Sequence, residues 1–377
     1  MNAGRALLAA GLAFAAASLA GCGWFGGGDK KAGALPEIRP TVTPKVAWTA
    51  SVGKSGGYRF APDAEGGRVY AAAADGTITV LEEDSGRVLA RFETQKKLSG
   101  GLLADESRVI VGTLKGEVIA LGMDGKVAWT GQVAGELLAP ASASRGIAVV
   151  RAADGRIFGF SIADGKRLWV YQRPTPALLL RASAGALAVA SDVVAGYPGG
   201  KLVALDIGDG KLTWEATVSL PRGATELERI ADVAGMPVID GPRVCAAAFQ
   251  GKVACFEIQT RDLAWSRDIS SASGLAVDAK NVYLVDDKGA VQALDKGNGS
   301  SLWRQDKLAA RRLGTPLVVN GNVVVGDVQG YLHVLAPEDG ALVGRVATDG
   351  TEVTAIVPTV AGVLVQTAGG SVVSLRF

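Results

Sequence analysis

Few side chains in this 377-residue chain have the types and spacing that catalysis needs. The single histidine, His333, stands in an alternating segment that is typical of a packed β-strand rather than of a general base. Zinc sites use several His or Cys ligands at set spacings, and the sequence offers no such set. Gly53-Lys54-Ser55 resembles the end of a phosphate loop, but Trp48 stands where that loop requires glycine. The sequence therefore predicts no catalytic centre, metal or cofactor.

Cys22 has a different chemistry, because it ends a segment built like an export signal over residues 1–21. One cation, Arg5, precedes an apolar Ala/Leu stretch over residues 6–20, which is too short to span a bilayer. Leu-Ala-Gly-Cys over residues 19–22 resembles the lipobox of bacterial lipoproteins, which implies cleavage before Cys22 and its acylation. In such lipoproteins a residue other than Asp after the cysteine, here Gly23, implies transfer to the outer membrane. An ordinary signal peptide cut near residue 20 is the alternative.

Cys245 and Cys255 flank a turn at Gln250-Gly251 and are predicted to lie opposite each other on one hairpin. Opposed strand positions come close enough for a disulfide at a non-hydrogen-bonded pair. An exported protein meets oxidising conditions, in which such a bond persists. The alternative is a pair of small apolar core residues, and the sequence leaves both open.

The remaining composition narrows the class of protein. A formal net charge of +2 gives no electrostatic reason to expect a nucleic-acid partner. Residues 22–43 carry glycines, lysines and prolines without an apolar period, which predicts a flexible tether between the lipid and a folded body over residues 44–377.

That body is one unit repeated. Apolar runs separated by glycine turns recur with spacings of 38 to 51 residues, the turn glycines being Gly76, Gly116, Gly155, Gly200, Gly251, Gly289, Gly330 and Gly370. Tryptophans 129, 169, 214, 265 and 303 follow these glycines by 13 or 14 residues, and we expect Leu89 and Val343 at that position in two other units. A period near 40 with four short strands per unit predicts an all-β, eight-bladed β-propeller.

The two ends of the chain are predicted to share one blade. The last unit stops at Phe377 before its outer strand, and residues 45–49, with Trp48 at the tryptophan position, supply the missing strand. Ring closure of this kind leaves no exposed sheet edge at the chain ends. A β-sandwich or β-solenoid is the alternative, but neither explains a unit split between the termini.

The repeats resemble those of pyrroloquinoline-quinone-type propellers, most clearly at residues 202–206 and 209–214. Residues 225–233, 312–317 and 325–333 resemble the BamB family of outer-membrane assembly lipoproteins within that group. The resemblance implies a non-enzymatic scaffold, lipid-anchored at the periplasmic face of the outer membrane. Its implied partners are a BamA-like barrel subunit and, through strand addition, unfolded outer-membrane proteins. A quinone-dependent dehydrogenase is the rival, although such enzymes carry adjacent cysteines that this chain lacks. A periplasmic propeller that binds another partner is a third hypothesis.

The resemblance also implies two docking segments. Residues 176–181 resemble a docking motif that carries over Leu178, Leu180 and Arg181, and residues 226–233 resemble an acidic docking loop with Glu226, Arg229 and Asp232. Independently of the resemblance, the 51-residue spacing before Gly251 means that the second segment projects from the ring. Thr225 and Glu228 predict a capping box that starts a short helical turn. The alternatives to docking are purely structural: a blade strand at residues 178–180, and packing of Leu227 and Ile230 on the rim of the propeller.

Overall fold

Eight four-stranded antiparallel sheets follow one another along the chain. The computed structural model describes residues 33–176, 178–180 and 184–377. The signal segment, Cys22 and Arg181 lie outside the described residues. Among the described residues no helix is long and apolar enough to cross a membrane.

The strands of the first half are β1 (Lys45–Ser51), β2 (Asp63–Glu65), β3 (Arg68–Ala72), β4 (Thr77–Glu82), β5 (Val88–Glu93), β6 (Gly100–Ala104), β7 (Arg108–Gly112), β8 (Glu117–Gly122), β9 (Val127–Gln132), β10 (Ser142–Ser144), β11 (Ile147–Arg151), β12 (Ile157–Ser161), β13 (Arg167–Tyr171), β14 (Leu187–Val189), β15 (Asp192–Tyr197), β16 (Lys201–Asp206) and β17 (Leu212–Thr217).

The second half contains β18 (Val238–Asp240), β19 (Arg243–Ala247), β20 (Val253–Glu257), β21 (Leu263–Arg267), β22 (Ala276–Val277), β23 (Asn281–Val285), β24 (Val291–Asp295), β25 (Ser301–Gln305), β26 (Leu317–Val319), β27 (Asn322–Gly326), β28 (Tyr331–Leu335), β29 (Leu342–Ala347), β30 (Val353–Thr359), β31 (Gly362–Thr367) and β32 (Ser371–Arg376). A 3-10 turn, Ala309–Arg311, lies between β25 and β26.

Blades 1 to 7 take their four strands consecutively from β2 to β29, and blade 8 has the order β1-β32-β31-β30. The N-terminal strand therefore completes the C-terminal blade, and the predicted eight-bladed propeller with this closure is confirmed. The seam is packed as a core, since Trp48 and Leu364 of blade 8 join Val69 and Leu81 of blade 1 in one buried cluster.

At five of the eight seams a tryptophan side chain joins one blade to the next. The indole nitrogen of Trp129 donates to the carbonyl of Ile162, 2.8 Å away, and the ring covers Gly165 in the following blade's outer turn. A Cβ on Gly165 would stand 2.5 Å from that ring, so the turn needs glycine for space as well as for its φ of +72°. The same contact recurs at Trp48, Trp169, Trp265 and Trp303.

Two units differ from the expected tryptophan position. The residues that pair at this register are Ala90 and Gly344, rather than Leu89 and Val343. In blade 1 the ring of Phe92 covers Gly125 instead. In blade 7 the register holds no side chain at all, and the backbone of Val42 lies against Gly344. The expectation failed because a one-residue change of spacing moves a strand residue to the other face of its sheet.

Residues 33–43, the described part of the segment expected to be a tether, lie against blade 7. Thr41 and Val42 both donate backbone hydrogen bonds to the carbonyl of Val343, at 2.8 and 3.0 Å. Ile38 packs against the apolar cluster that blades 6 and 7 share. A few apolar residues among prolines were enough to dock a segment that has no regular periodicity.

Cys245 and Cys255 are paired residues of β19 and β20, with Cα atoms 4.1 Å apart, and their sulfur atoms are joined as a disulfide. Both side chains are buried. The bond closes a loop with a sequence separation of 10 residues. It ties the middle of the hairpin whose turn is Gln250-Gly251.

Replacing both cysteines by alanine is expected to lower the free energy of unfolding by roughly 2 to 3 kcal/mol, because the unfolded chain regains the freedom that the short loop removed. Guanidinium denaturation of the double variant and of the unchanged protein measures this difference. Adding a thiol reductant should destabilise the unchanged protein by a similar amount and leave the variant unaffected. Equal stability of all three samples would contradict the prediction.

His333 is buried on β28 in a charged cluster. Its Nε2 lies 2.8 Å from Asp327, which also pairs with the buried guanidinium of Arg311, while Arg345 donates to Nδ1 at 3.4 Å. Burial lowers the pKa of His333 below its ordinary value of 6.5, and the hydrogen bond to Asp327 only partly opposes this. The imidazole is therefore neutral at pH 7, with its proton on Nε2.

We expect the protein to lose stability as the pH falls from 7 to 5. The unfolded chain binds a proton at its one histidine near pH 6.5, whereas the folded chain binds that proton only at a lower pH. Stability therefore falls below about pH 6.5, by at most about 1.4 kcal/mol per pH unit. Urea denaturation across this range should show a flatter profile for His333→Gln. Identical profiles for the two proteins would show that His333 does not control this window.

Candidate docking surface

The propeller has two unlike faces. One face, here called the loop face, carries the turn between the second and third strands of each blade and the connection to the next blade. These meet directly: in blade 1, Thr94 donates to the carbonyl of Gly76, and in blade 4, Val218 donates to the carbonyl of Gly200. The opposite face carries the other two turns of each blade, where Glu83 bonds to Gly67. Both predicted docking segments belong to connections and so lie on the loop face.

Residues 218–237, between β17 and β18, form the insertion that the repeat spacing predicts. The Glu228 carboxylate accepts the N–H groups of Thr225 and Ala224, at 3.1 and 2.8 Å, and Thr225 Oγ1 accepts the N–H of Glu228. Hydrogen bonds from the Thr225 and Ala224 N–H groups hold the pKa of Glu228 below its usual range. The capping box thus forms as expected, around a single turn that is too short to count as a helix.

The insertion rests on the next blade's hairpin. Phe249 donates its N–H to the carbonyl of Asp232 at 2.8 Å. The Gln250 side-chain amide nitrogen faces the insertion and lies 3.0 to 3.2 Å from the carbonyl oxygens of Leu227, Glu228 and Ile230, which share its two hydrogens. These contacts fix the turn as a rigid projection. Gln250 was not predicted from the sequence, where a glutamine before a turn glycine carries no distinguishing signal.

Asp232 joins the two predicted docking segments. Its carboxylate accepts the N–H of Leu180 at 2.7 Å and the N–H of Gly199, in the blade 4 turn, at 3.2 Å. Only 3% of the residue is exposed. The resemblance implied an acidic contact for a partner, but this carboxylate faces inward and bonds to the chain's own backbone. Asp232 therefore positions the surface rather than presenting charge on it.

Arg151 lies beneath the two docking segments, on the side of the propeller body. Its guanidinium is buried, donates to the carbonyl of Gly196 at 2.6 Å and lies 4.9 Å from the ring centre of Tyr197. Arg151, Leu180 and Asp232 line a small crevice between the two segments. This arginine could not be recognised from the sequence, since it ends an ordinary apolar strand.

Both segments carry exposed apolar side chains. Leu220 and Leu227 of the insertion are 64% and 66% exposed, and Leu178 is 43% exposed. Leu180 is half-buried, and residues 178–180 are not in a strand. Glu226 and Arg229 are exposed, although Arg229 also donates to the carbonyl of Gly223. Rim packing therefore does not account for Leu227. Leu220 also belongs to this surface, although it was not predicted from the sequence.

Asp232→Ala is expected to destabilise the protein by about 2 to 4 kcal/mol, because two partly buried N–H groups lose their buried acceptor. Asp232→Asn, which retains a carbonyl acceptor, should cost less. Chemical denaturation gives the stability, and hydrogen exchange at the Leu180 amide reports the loosened contact. Glu226→Ala is the matched control, since an exposed acid should change stability by less than about 0.5 kcal/mol. If Asp232→Ala were as stable as the control, the positioning role would be wrong.

Comparison with known proteins assigns the chain to a protein family. The family model described as "Outer membrane protein assembly factor BamB" matches residues 74–305 and 287–376. A curated protein of that name from Bordetella pertussis is 39% identical over 364 residues, covering 95% of this chain and 94% of the relative. This chain belongs to the BamB family.

Solved structures agree on the architecture. The crystal structure of BamB from Moraxella catarrhalis superposes with a TM-score of 0.82 at 27% identity and covers 89% of this chain and all of the other. A quinohemoprotein alcohol dehydrogenase from Comamonas testosteroni superposes with a TM-score of 0.69, covering 88% of this chain and 76% of the enzyme. Its 12% identity shows a shared fold alone. Among the described residues, no three His, Cys, Asp or Glu side chains are grouped so that they could hold a metal ion.

Proposed function

We propose that this protein is a non-enzymatic scaffold for assembly of outer-membrane β-barrel proteins. Membership of a family described as assembly factors supports the general role. In this proposal the loop face docks a BamA-like barrel subunit, and acyl chains on Cys22 hold the protein at the periplasmic side of the outer membrane. Unfolded outer-membrane proteins are its indirect or direct clients. No cofactor takes part.

The observation that carries the docking proposal is the Asp232 contact. It holds two separate connections together, on one face, with leucines of both left exposed. Rigid, exposed apolar side chains beside charged ones are what a protein interface uses as anchors, because their ordering costs little on binding. Isolated exposed leucines are common on protein surfaces and need no explanation. Here, however, the Gln250 amide holds the backbone of the projecting turn that carries Leu227.

The direct test is purification of the tagged, full-length protein from outer membranes. We expect a BamA-like barrel subunit to co-purify, and labelled palmitate to be incorporated into the unchanged protein but not into Cys22→Ala. Absence of any barrel subunit under mild detergent would refute the docking proposal. Absence of label from the unchanged protein would refute the lipid anchor independently of docking.

A further inference from the structure

The described N-terminal residues form a strap along blade 7. Residues 33–42, here called the strap, meet the blade at three levels. The carbonyl of Gly33 accepts from Arg311, the carbonyl of Pro36 accepts from Arg345 at 2.7 Å, and Thr41 and Val42 donate to Val343. The strap thus contacts the whole height of the blade.

The strap also fits the blade by shape. Its inward residues alternate with exposed ones: Pro36, Ile38 and Val42 are half-buried, while Leu35 and Glu37 are exposed. Val42 packs with the cluster that blades 7 and 8 share. The place that other blades give to tryptophan is Gly344 here, and a Cβ there would stand 2.5 Å from the carbonyl oxygen of Val42. Blade 7 therefore lacks a side chain where the strap crosses it.

The two arginines that bind the strap are held in place by the blade itself. Arg311 pairs with the buried Asp327 and donates to Gln329 Oε1 at 2.7 Å. Its guanidinium lies 5.4 Å from the ring centre of Tyr331. Arg345 donates to His333. Preorganised donors lose little entropy on binding a carbonyl, so they favour a docked strap over a free one.

The direction of the strap places its start on the loop face. Gly33 lies beside Ala310, in the connection that enters blade 7, and beside Arg311, which bonds to Gln329 of that blade's loop-face turn. Val42 lies at Val343, near the start of β29, toward the opposite face. The docking surface occupies the connections between blades 3, 4 and 5. The strap therefore starts on the same face as that surface, on the far side of the ring.

We infer that the strap fixes the point at which the membrane tether acts on the propeller: the blade 7 edge of the loop face. The inference rests on the proposed acylation of Cys22. With the strap docked, 11 residue steps separate Cys22 from Gly33, a contour of about 40 Å, whereas a free segment up to β1 would span about 80 Å. The docked strap thus halves the reach of the anchor and applies its pull at one defined edge.

Two matched insertions test this. A 12-residue Gly/Ser linker between residues 32 and 33 lengthens the tether, whereas the same linker between residues 43 and 44 only loops out behind the docked strap. A donor dye on Lys288→Cys, an exposed loop-face position, reports proximity to acceptor lipids in phosphatidylethanolamine/phosphatidylglycerol vesicles. The first insertion should increase the root-mean-square tether span about 1.5-fold and lower energy transfer. The second should leave energy transfer unchanged.

Equal loss of energy transfer from both insertions would overturn the inference. Hydrogen exchange at the Thr41 and Val42 amides provides a second measurement that needs no membrane. Both amides should be protected in the unchanged protein and in the variant with the insertion between residues 43 and 44. Both should exchange faster in Arg345→Ala. Unprotected amides in the unchanged protein would also overturn it. If no variant binds vesicles while the amides remain protected, the proposed acylation of Cys22 is wrong. The inference about where the tether acts is then wrong too, although the strap is still docked.

Discussion

Replacing both Leu178 and Leu227 by aspartate is expected to weaken binding of the barrel subunit by on the order of 100-fold or more. Each leucine is exposed, and each belongs to a different segment of the docking surface. Anchor residues near the centre of an interface commonly contribute about 2 kcal/mol or more, and a buried carboxylate in an apolar contact adds a desolvation cost. Surface plasmon resonance on the detergent-purified barrel subunit measures the dissociation constants.

The matched control is Val127→Asp with Leu263→Asp. These residues are exposed to similar extents, 52% and 53%, but lie on the outer strands of blades 2 and 5. All four substitutions replace exposed side chains, so the folded state should be retained in both double variants, which denaturation verifies. An unchanged dissociation constant for the Leu178/Leu227 variant, or equal losses for both variants, would contradict the docking assignment.

Asp327→Ala is expected to cost about 3 to 5 kcal/mol of unfolding free energy, because it leaves the guanidinium of Arg311 buried without its counter-charge. Burial disfavours ionisation of Asp327, but hydrogen bonds from His333, the Tyr331 N–H and Arg311 outweigh it and hold the carboxyl pKa below its usual range. The carboxylate thus balances the charge of Arg311, and only 1% of that residue is exposed. Guanidinium denaturation measures the loss.

Blade 6 offers the matched control at the equivalent turn. Asp286 likewise accepts turn N–H groups, from Lys288 and Ala290, but its partner Arg304 has 39% of its side chain exposed. Asp286→Ala should therefore cost clearly less, since water solvates the arginine that remains. A loss for Asp327→Ala that did not exceed the loss for Asp286→Ala would show that burial of the pair is not what makes it costly to break.

The blade count and the closure of the ring could be predicted from the sequence because both depend on local chemistry. A turn that needs positive φ selects glycine, and a packing position between sheets selects tryptophan, so both recur at the period of the blade. The missing last strand of the repeat and Trp48 near the N-terminus identified the shared blade in the same way. The tryptophan positions of blades 1 and 7 failed, because spacing alone does not define register to a single residue.

The roles of Asp232 and the strap could not be predicted, because both depend on contacts between distant parts of the chain. Asp232 accepts a hydrogen bond from a residue 52 positions earlier, and nothing in its neighbourhood shows that its carboxylate faces inward. Arg311 meets Gly33 across 278 positions. A segment rich in proline and glycine reads as a free tether until the surface that receives it is known.

Photo-cross-linking shows which face of the propeller docks the barrel subunit. A cross-linking amino acid at Leu227, on the loop face, is compared with one at Glu83, in an outer turn of the opposite face, in cells that make the full-length protein. We expect a covalent adduct with the BamA-like barrel subunit from position 227 and none from position 83. An adduct from position 83 alone, or none from either position, would contradict docking through the loop face.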